Sequence, residues 1–472
     1  HEGSRRGHRA PCWDTVAAGG DCTGPYHHRP ASRGKKGRFP DAIGAGKRGQ
    51  RIGVRETPPR PLCSMSRQIF LLSIAGMRSI PGQMAAITET LGQHDVAILD
   101  MGQSEIHDTL NLAIMIECPA DLDLVVLKEV VFRAHEQGLK VEFTPITTSD
   151  YERWVQLERV PRFIVTVVSR TCKAGPFGKV TRLLAESGLN IDGIPRLSRI
   201  NSKQGSTWGA GGKRFALQLE VSGGAGSVMG LNVDKLREDL FKITLGSAID
   251  VGFQDDDLFR RNRRMVLFDM DSTLIQCEVI DELAKHAGVG KAVADITEAA
   301  MRGEIDFQES FRQRMRLLKG MDESVLKGIA DNLPVTEGAP RLIATLKRLG
   351  YKIGILSGGF TYFAHRLQKA FGIDYVFANE LDFQDGKLTG EVKGDIVDGN
   401  RKAELLQELA KKEGITLKQV IAVGDGANDI PMLKLAGLGV AFHAKPRVKE
   451  QAQVGISTVG LDGILYLLGI CE

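Results

Sequence analysis

At 472 residues, with 42% hydrophobic and 25% charged side chains, the chain is long enough for about two to four packed domains and lacks the composition of a disordered or fibrous protein. No apolar run approaches the ~20 residues of a membrane span, and the seven cysteines (Cys12, Cys22, Cys63, Cys118, Cys172, Cys277 and Cys471) are scattered without a CxxC pair, which argues for a reducing compartment such as the cytoplasm and against a zinc site or disulfide framework. The net charge of +4 is uneven: the first 64 residues hold 13 of the 62 Lys/Arg and 5 of the 58 Asp/Glu, so this tail carries +8 and the remainder −4.

Residues 1–64 have no apolar periodicity and are rich in Gly, Arg, Pro and His, a composition expected to be disordered. A basic arm can neutralise nucleic-acid phosphates. The run reads better as sequence ahead of a start at Met65, and neither a nucleic-acid nor a membrane partner is expected. It has no apolar core with a small-residue cleavage site, and its Pro and Gly suit an amphipathic transit helix badly.

From Arg67 the pattern alternates. Strands are expected over Gln68–Ala75, Val96–Gln103, Thr109–Cys118 and Lys140–Pro145, with helices over Gly82–Gln93 and Asp121–Gly138. This βαββαβ order, assigned to residues 65–150, returns over 160–255. There the strands are Arg162–Arg170, Asn190–Ser198, Arg214–Ser222 and Ser247–Phe253, and the helices Gly178–Gly188 and Val233–Leu245. The tandem resembles a pair of ACT domains, small regulatory modules that bind amino acids. The resemblance implies an amino-acid effector and a homodimer. Loops after the first strands, Gly76-Met77-Arg78-Ser79-Ile80-Pro81-Gly82 and Ser169-Arg170-Thr171-Cys172-Lys173-Ala174-Gly175-Pro176, lack the acidic residue common in those modules. A structural or dimerising role therefore stands beside the sensing one.

Asp255-Asp256-Asp257 and Arg260–Arg264 mark a linker; the acidic run reads as a solvated charge cluster rather than a metal site. A third unit spans 262–472. The apolar run Met265-Val266-Leu267-Phe268 ends at Asp269-Met270-Asp271-Ser272-Thr273. Two carboxylates two residues apart at the end of a buried strand make a place for chemistry, and the chain is expected to break from the strand there, at the carboxyl edge of a parallel α/β sheet, where such sheets bind ligands. A helical insertion follows, about 278–336, with Ile280, Leu283 and Ala287, then Phe311, Met315 and Leu318, at core spacing; it is expected to cap the site. Two further strand ends carry polar clusters: Ser357-Gly358-Gly359 after Ile353–Leu356, and Gly424-Asp425-Gly426-Ala427-Asn428-Asp429 after Val420–Val423. Asp385-Gly386 signals a hairpin turn.

These clusters read as a magnesium-dependent phosphoryl-transfer site. A carboxylate such as Asp269 can attack phosphorus and form an acyl phosphate, and Asp271 can protonate the leaving oxygen and then help activate water. Asp269 and Asp425 could hold Mg2+, which favours carboxylate and phosphate oxygens, while Thr273 would pin the loop. Ser357 with the amides of Gly358 and Gly359 could hold phosphoryl oxygens at the start of the next helix. Lys402, early in the helix Lys402–Lys411, is poorly placed for a cation unless a phosphate is near. Asn428 and Asp429 follow Asp425 on one turn and could orient substrate, metal and waters.

In this order the motifs resemble the haloacid dehalogenase superfamily of phosphatases, and over about residues 262–470 the phosphoserine phosphatases within it. The matching segments are Asp269 to Glu282, Ala300-Met301-Arg302-Gly303-Glu304, Phe307 to Arg314, Ser357 to Phe360, and Ala441 to Pro446. The resemblance implies a Rossmann-like α/β core with a helical cap, Asp269 as nucleophile and Asp271 as acid/base. It places magnesium on Asp269, the Asp271 carbonyl and Asp425, and the phosphoryl group on Ser357 and Lys402. Glu278 and Arg314 would grip the ammonium and carboxylate of O-phospho-L-serine; Met301 and Phe307 would wall the cap. The expected reaction is phosphoserine hydrolysis in serine synthesis. The alternatives are a phosphatase or phosphotransferase for another small phosphoester, or an amino-acid-sensing regulatory protein.

Overall fold

The computed structural model describes residues 67–77, 80–121, 123–157, 161–199, 214–223 and 231–471. The expectations for residues 1–64, for a start at Met65, for Arg78 and Ser79 and for the Met301 side chain lie outside the described residues.

The first βαββαβ unit comprises β1 (Arg67–Met77), α1 (Gln83–Gly92), β2 (Ala97–Ile106), β3 (Thr109–Pro119), α2 (Asp123–Glu136) and β4 (Leu139–Ile146). The four strands form an antiparallel sheet in the order β2-β3-β1-β4. One face is buried: on β3 the alternate residues Leu110, Leu112, Ile114, Ile116 and Cys118 join Ile87 and Leu91 of α1 and Val126, Val130 and Ala134 of α2 in one core. A helix not foreseen from the sequence, α3 (Thr148–Leu157), follows.

The second unit repeats this arrangement with β5 (Arg162–Ser169), α4 (Ala174–Glu186), β6 (Leu189–Gly193), β7 (Phe215–Gly223), α5 (Val233–Thr244) and β8 (Ile249–Asp255). Its strand order, β6-β7-β5-β8, matches that of the first. The acidic run after it is structural: Asp257 Oδ1 accepts the amides of Phe259 and Arg260 and turns the chain.

The third unit begins at β9 (Met265–Phe268) and rises into α6 (Val279–His286), α7 (Gly290–Met301), α8 (Phe307–Leu317) and α9 (Ser324–Asp331). It returns through α10 (Ala339–Arg348), β10 (Lys352–Phe360), α11 (Thr361–Phe371), the hairpin β11 (Tyr375–Gln384) and β12 (Lys387–Lys393), and α12 (Gly399–Lys412). It closes with β13 (Val420–Gly424), α13 (Ile430–Leu435), β14 (Leu438–Phe442), α14 (Pro446–Lys449), β15 (Val454–Ile456) and α15 (Ile464–Leu467). β9 is buried on both faces and lies between β10 and β13, parallel to each, so the chain leaves it at the carboxyl edge of a parallel sheet.

The second and third units are not separate beads. β15 pairs antiparallel with β8, giving one eleven-stranded sheet, β12-β11-β10-β9-β13-β14-β15-β8-β5-β7-β6. Val168, Leu197 and Ala216 of the second unit share a core with Ile464, Leu465 and Leu467. Buried polar groups bolt the seam: Asp250 accepts from the amides of Ser457 and Thr458 and from Thr458 Oγ1, and Arg214 reaches Asp462 at 2.7 Å.

Candidate active site

After Phe268 the ladder extends one residue, with the Asp269 amide donating to the Val423 carbonyl, and then breaks. Residues 270–274 coil into a single tight turn in which Ser272 takes a left-handed conformation (φ 53°). That turn carries the chain off the sheet edge and keeps both carboxyl groups of the motif in one buried site. Asp269 and Asp271 are 6% and 9% exposed, and Asp269 Oδ1 accepts from the Met270 amide.

Lys402 projects from the first turn of α12 and is fully buried. Its Nζ lies 2.9 Å from Asp269 Oδ2 and 2.7 Å from Asp429 Oδ1. Asp429 is more deeply set than a residue that only arranges metal and water. Its other oxygen accepts from the amides of Asp425 and Gly426, so it locks the β13 loop around the lysine. Gly424 permits this approach, because a Cβ there would stand 2.4 Å from the Asp429 carboxyl carbon. Thr273 Oγ1 donates to Asp425 Oδ1 at 2.8 Å. Asn428 is half-buried on the same loop.

Ser357 corrects an expectation. It does not begin a helix: β10 continues through Gly358 and Gly359 to Phe360, and α11 starts at Thr361. Ser357 Oγ instead accepts the Gly359 amide at 2.8 Å and lies 3.3 Å from Asp271 Oδ2. Asp271 Oδ1 accepts the Val279 amide at the start of α6, which ties the acid to the cap. Sequence reasoning missed Asn379. It is buried in β11, donates to the Gly358 carbonyl and accepts the Val397 amide, so it fixes the backbone of the Ser-Gly-Gly segment. A polar amide inside the strand Tyr375–Gln384 was the available signal.

Four carboxyl groups thus crowd one ammonium. Burial and then Asp429 raise the Asp269 pKa well above the carboxylate range, against the pull of Lys402. Burial and Glu278 bring Asp271 to about 7, and burial and Asp429 bring Asp425 to about 7. Burial opposes the Lys402 charge, but Asp269 and Asp429 outweigh it and hold the amine above its ordinary value. Oxygens of Asp269, Asp425 and Asp429 lie within 4.8 Å of one another. An acidic, buried, oxygen-only cluster of this kind suits a hard divalent cation. Asp269 and Asp429 both meet Lys402 and backbone amides, and Asp425 accepts from Thr273; the three together are the side chains that could hold one.

At the mouth, Glu278 is exposed and accepts from Ser272 Oγ at 2.7 Å. Arg314 is half-buried on α8, with Nε 3.4 Å from the Ser310 carbonyl. Burial lowers its pKa, while Asp281, Glu278 and Asp271 act in the opposite direction; a guanidinium stays charged regardless. Phe307 stacks near Phe311, and its ring tip would be 3.2 Å from a Cβ on Gly358.

The haloacid dehalogenase-like hydrolase family matches residues 264–437, and the ACT domain family matches residues 68–144. Phosphoserine phosphatase SerB2 of Mycobacterium tuberculosis is 40% identical over 403 residues, 85% of this chain and 93% of the relative. A Streptomyces coelicolor phosphoserine phosphatase is 38% identical over 85% and 92%. The chain belongs to the phosphoserine phosphatase family. A haloacid dehalogenase family hydrolase of Salmonella enterica serovar Typhi matches in structure with a TM-score of 0.54 at 28% identity, covering 65% of this chain and 98% of its own. Within this family the core is the haloacid dehalogenase-like α/β fold, and the N-terminal unit is an ACT domain.

Proposed function

We propose that the chain hydrolyses O-phospho-L-serine to L-serine and phosphate through an aspartyl phosphate on Asp269, the last step of serine synthesis. The observation that carries this reading is the buried Asp269–Lys402–Asp429 chain beside Asp271, roofed by a cap helix bearing Arg314. Asp269 Oδ attacks phosphorus, the phosphorus–serine oxygen bond breaks, and Asp271 gives its proton to the departing oxygen. A pKa near 7 lets Asp271 carry that proton at neutral pH and take one back from water in the second step. The water then attacks phosphorus, phosphate leaves, and Asp269 is free again. Lys402, Ser357 and the Gly358 amide bind phosphoryl oxygens, and Asn428 lines the same side. Asp269, the Asp271 carbonyl and Asp425 would hold a magnesium ion, which supplies neutralising charge to the phosphate when bound. Glu278 takes the serine ammonium and Arg314 its carboxylate.

The ACT unit supports an amino-acid effector and the tandem a homodimer. Among the described residues Cys118, Cys172, Cys277 and Cys471 are free thiols, and no helix is long and apolar enough to cross a membrane. Both features are compatible with a cytoplasmic enzyme.

Phosphate release by the full chain, with and without magnesium, tests the reading on L-phosphoserine against phosphothreonine, phosphoethanolamine and sugar phosphates. A magnesium-dependent preference for phosphoserine is expected; equal turnover of all esters would remove the substrate assignment.

A further inference from the structure

The cap helix α8 touches the core beside the phosphoryl site in a way the reaction scheme above leaves unused. Gln308 Nε2 donates to Asp398 Oδ2 at 2.9 Å. The amide is oriented, because Arg312 NH2, one turn on, donates to its Oε1 at 3.3 Å. Asp398 is equally committed: it is the N-cap of α12, and its Oδ1 accepts the Arg401 amide at 2.9 Å. Burial favours its protonation, yet hydrogen bonds from Arg401, Gln308 and Asn400 prevail and hold the carboxyl below its usual value. Both residues line a polar crevice of about 360 Å³ between the two helices, with Arg312, Asn400 and Arg401.

The two ends of this hydrogen bond belong to different parts of the site. Asp398 starts the helix whose first turn carries Lys402, and Gln308 sits next to Phe307, which faces Gly358, and six residues before Arg314. A cap that carries substrate-binding side chains must be held in register with the core, since a displacement of about 1 Å can cost on the order of 100-fold in rate. We propose that Gln308 is a positioning residue for the phosphatase reaction: its hydrogen bond to Asp398 fixes α8, and with it Phe307 and Arg314, over the phosphoryl end of the site. The proposal deepens the functional reading above and rests on it for the choice of substrate.

The bond can be reversed without changing its shape. Q308E keeps the contact with Arg312 but faces Asp398 with a second carboxylate. D398N keeps an N-cap oxygen and turns a donor toward position 308, so Q308E/D398N rebuilds the bond with donor and acceptor exchanged. The full-length wild type, both single variants and the double variant are assayed on L-phosphoserine and on p-nitrophenyl phosphate, which has no ammonium or carboxylate for the cap to hold. In Q308E the KM for phosphoserine rises about tenfold while turnover of the nitrophenyl ester changes less. The double variant returns to within about threefold of wild type. Wild-type kinetics in Q308E, or a double variant no better than Q308E, would overturn the proposal. Should Q308E fail to fold by thermal melting, Q308A decides: a raised KM supports the role and an unchanged one removes it. A wild type inactive on phosphoserine but active on the nitrophenyl ester would sink the substrate reading alone; rescue by the double variant on that ester then supports the role of Gln308, and no rescue overturns it.

Discussion

Thr273 Oγ1 donates to Asp425 Oδ1 across 2.8 Å, joining the turn after β9 to the loop after β13. The bond engages one oxygen of Asp425, so it sets how that carboxylate is presented to a cation. Outer groups of this kind are worth roughly 10- to 100-fold in metal affinity. Thr273→Val is expected to raise the magnesium concentration for half-activation by about tenfold, and Thr273→Ser to stay near wild type. A magnesium titration of activity checks this; an unchanged midpoint in the valine variant would contradict it.

Lys402 compensates two buried carboxyl groups, at 2.9 Å and 2.7 Å. Its replacement by Met keeps the length of the side chain and leaves Asp269 and Asp429 uncompensated. Loss of one partner from a buried ion pair costs about 3–5 kcal/mol, so Lys402→Met is expected to lose turnover and that much stability in urea unfolding. Partial recovery of stability in Lys402→Met/Asp429→Asn would identify uncompensated charge as the cause.

Much of this site was legible before folding, because each cluster ends an apolar run. Asp269 and Asp425 directly follow β9 and β13, and Ser357 lies in the last part of β10; the three strands are parallel neighbours. The relations the sequence hid are those made across the fold. Nothing near Asn379 in the chain announces that it holds the Gly358 carbonyl, because Gly358 lies 21 residues away. The depth of Asp429 was hidden for the same reason, since its partner Lys402 comes from α12. The run 255–257 reads as a linker from its charge alone, yet β8 before it is paired into the catalytic sheet by β15. That pairing rests on residues some 200 positions apart.

Gly359 is required by close approach. A Cβ there would lie 2.2 Å from Asp271 Oδ2 and 2.9 Å from Met270 Cε. Asp271 is also held by the Val279 amide and cannot retreat freely. Gly359→Ala is therefore expected to lower kcat by at least about 100-fold through displacement of the proton donor, with a near-native circular dichroism spectrum. Wild-type turnover in that variant would exclude Asp271 as the acid.

Without a cation, the acidic site works against the fold. Asp271 and Asp425 each have a folded pKa of about 7, raised chiefly by burial, against about 3.9 in an unfolded chain. A carboxyl raised on folding binds more protons in the native state, so stability falls as pH rises between those values and levels off above the upper one. The metal-free protein is expected to lose melting temperature from about pH 4 to pH 7 through these groups, and magnesium to restore more of it at pH 8 than at pH 5. Thermal melts in chelator and in magnesium at four pH values check the sign; a magnesium effect largest at pH 5 would contradict it.

Asp250 secures the seam between the second βαββαβ unit and the catalytic sheet. It is 4% exposed and accepts three hydrogen bonds, from the Ser457 amide at 2.9 Å, the Thr458 amide at 2.7 Å and Thr458 Oγ1 at 2.6 Å. Burial raises its pKa and these donors lower it, Thr458 foremost. Asp250→Ala leaves the Ser457 and Thr458 amides without that acceptor, at about 1–3 kcal/mol for each buried group so stranded, while Thr458 Oγ1 keeps the Val168 carbonyl. Asp250→Asn retains an acceptor oxygen and costs less. The alanine variant is expected to unfold in two separable steps in denaturant, because among the described residues β8 meets β15 through a single paired position, Gly252 with Val454. The wild-type seam adds the Asp250 hydrogen bonds to the shared core of Val168, Leu197 and Ala216 with Ile464 and Leu467, which should make its transition single. A single transition in Asp250→Ala at an unchanged midpoint would show that the remaining seam contacts hold the two units together without Asp250.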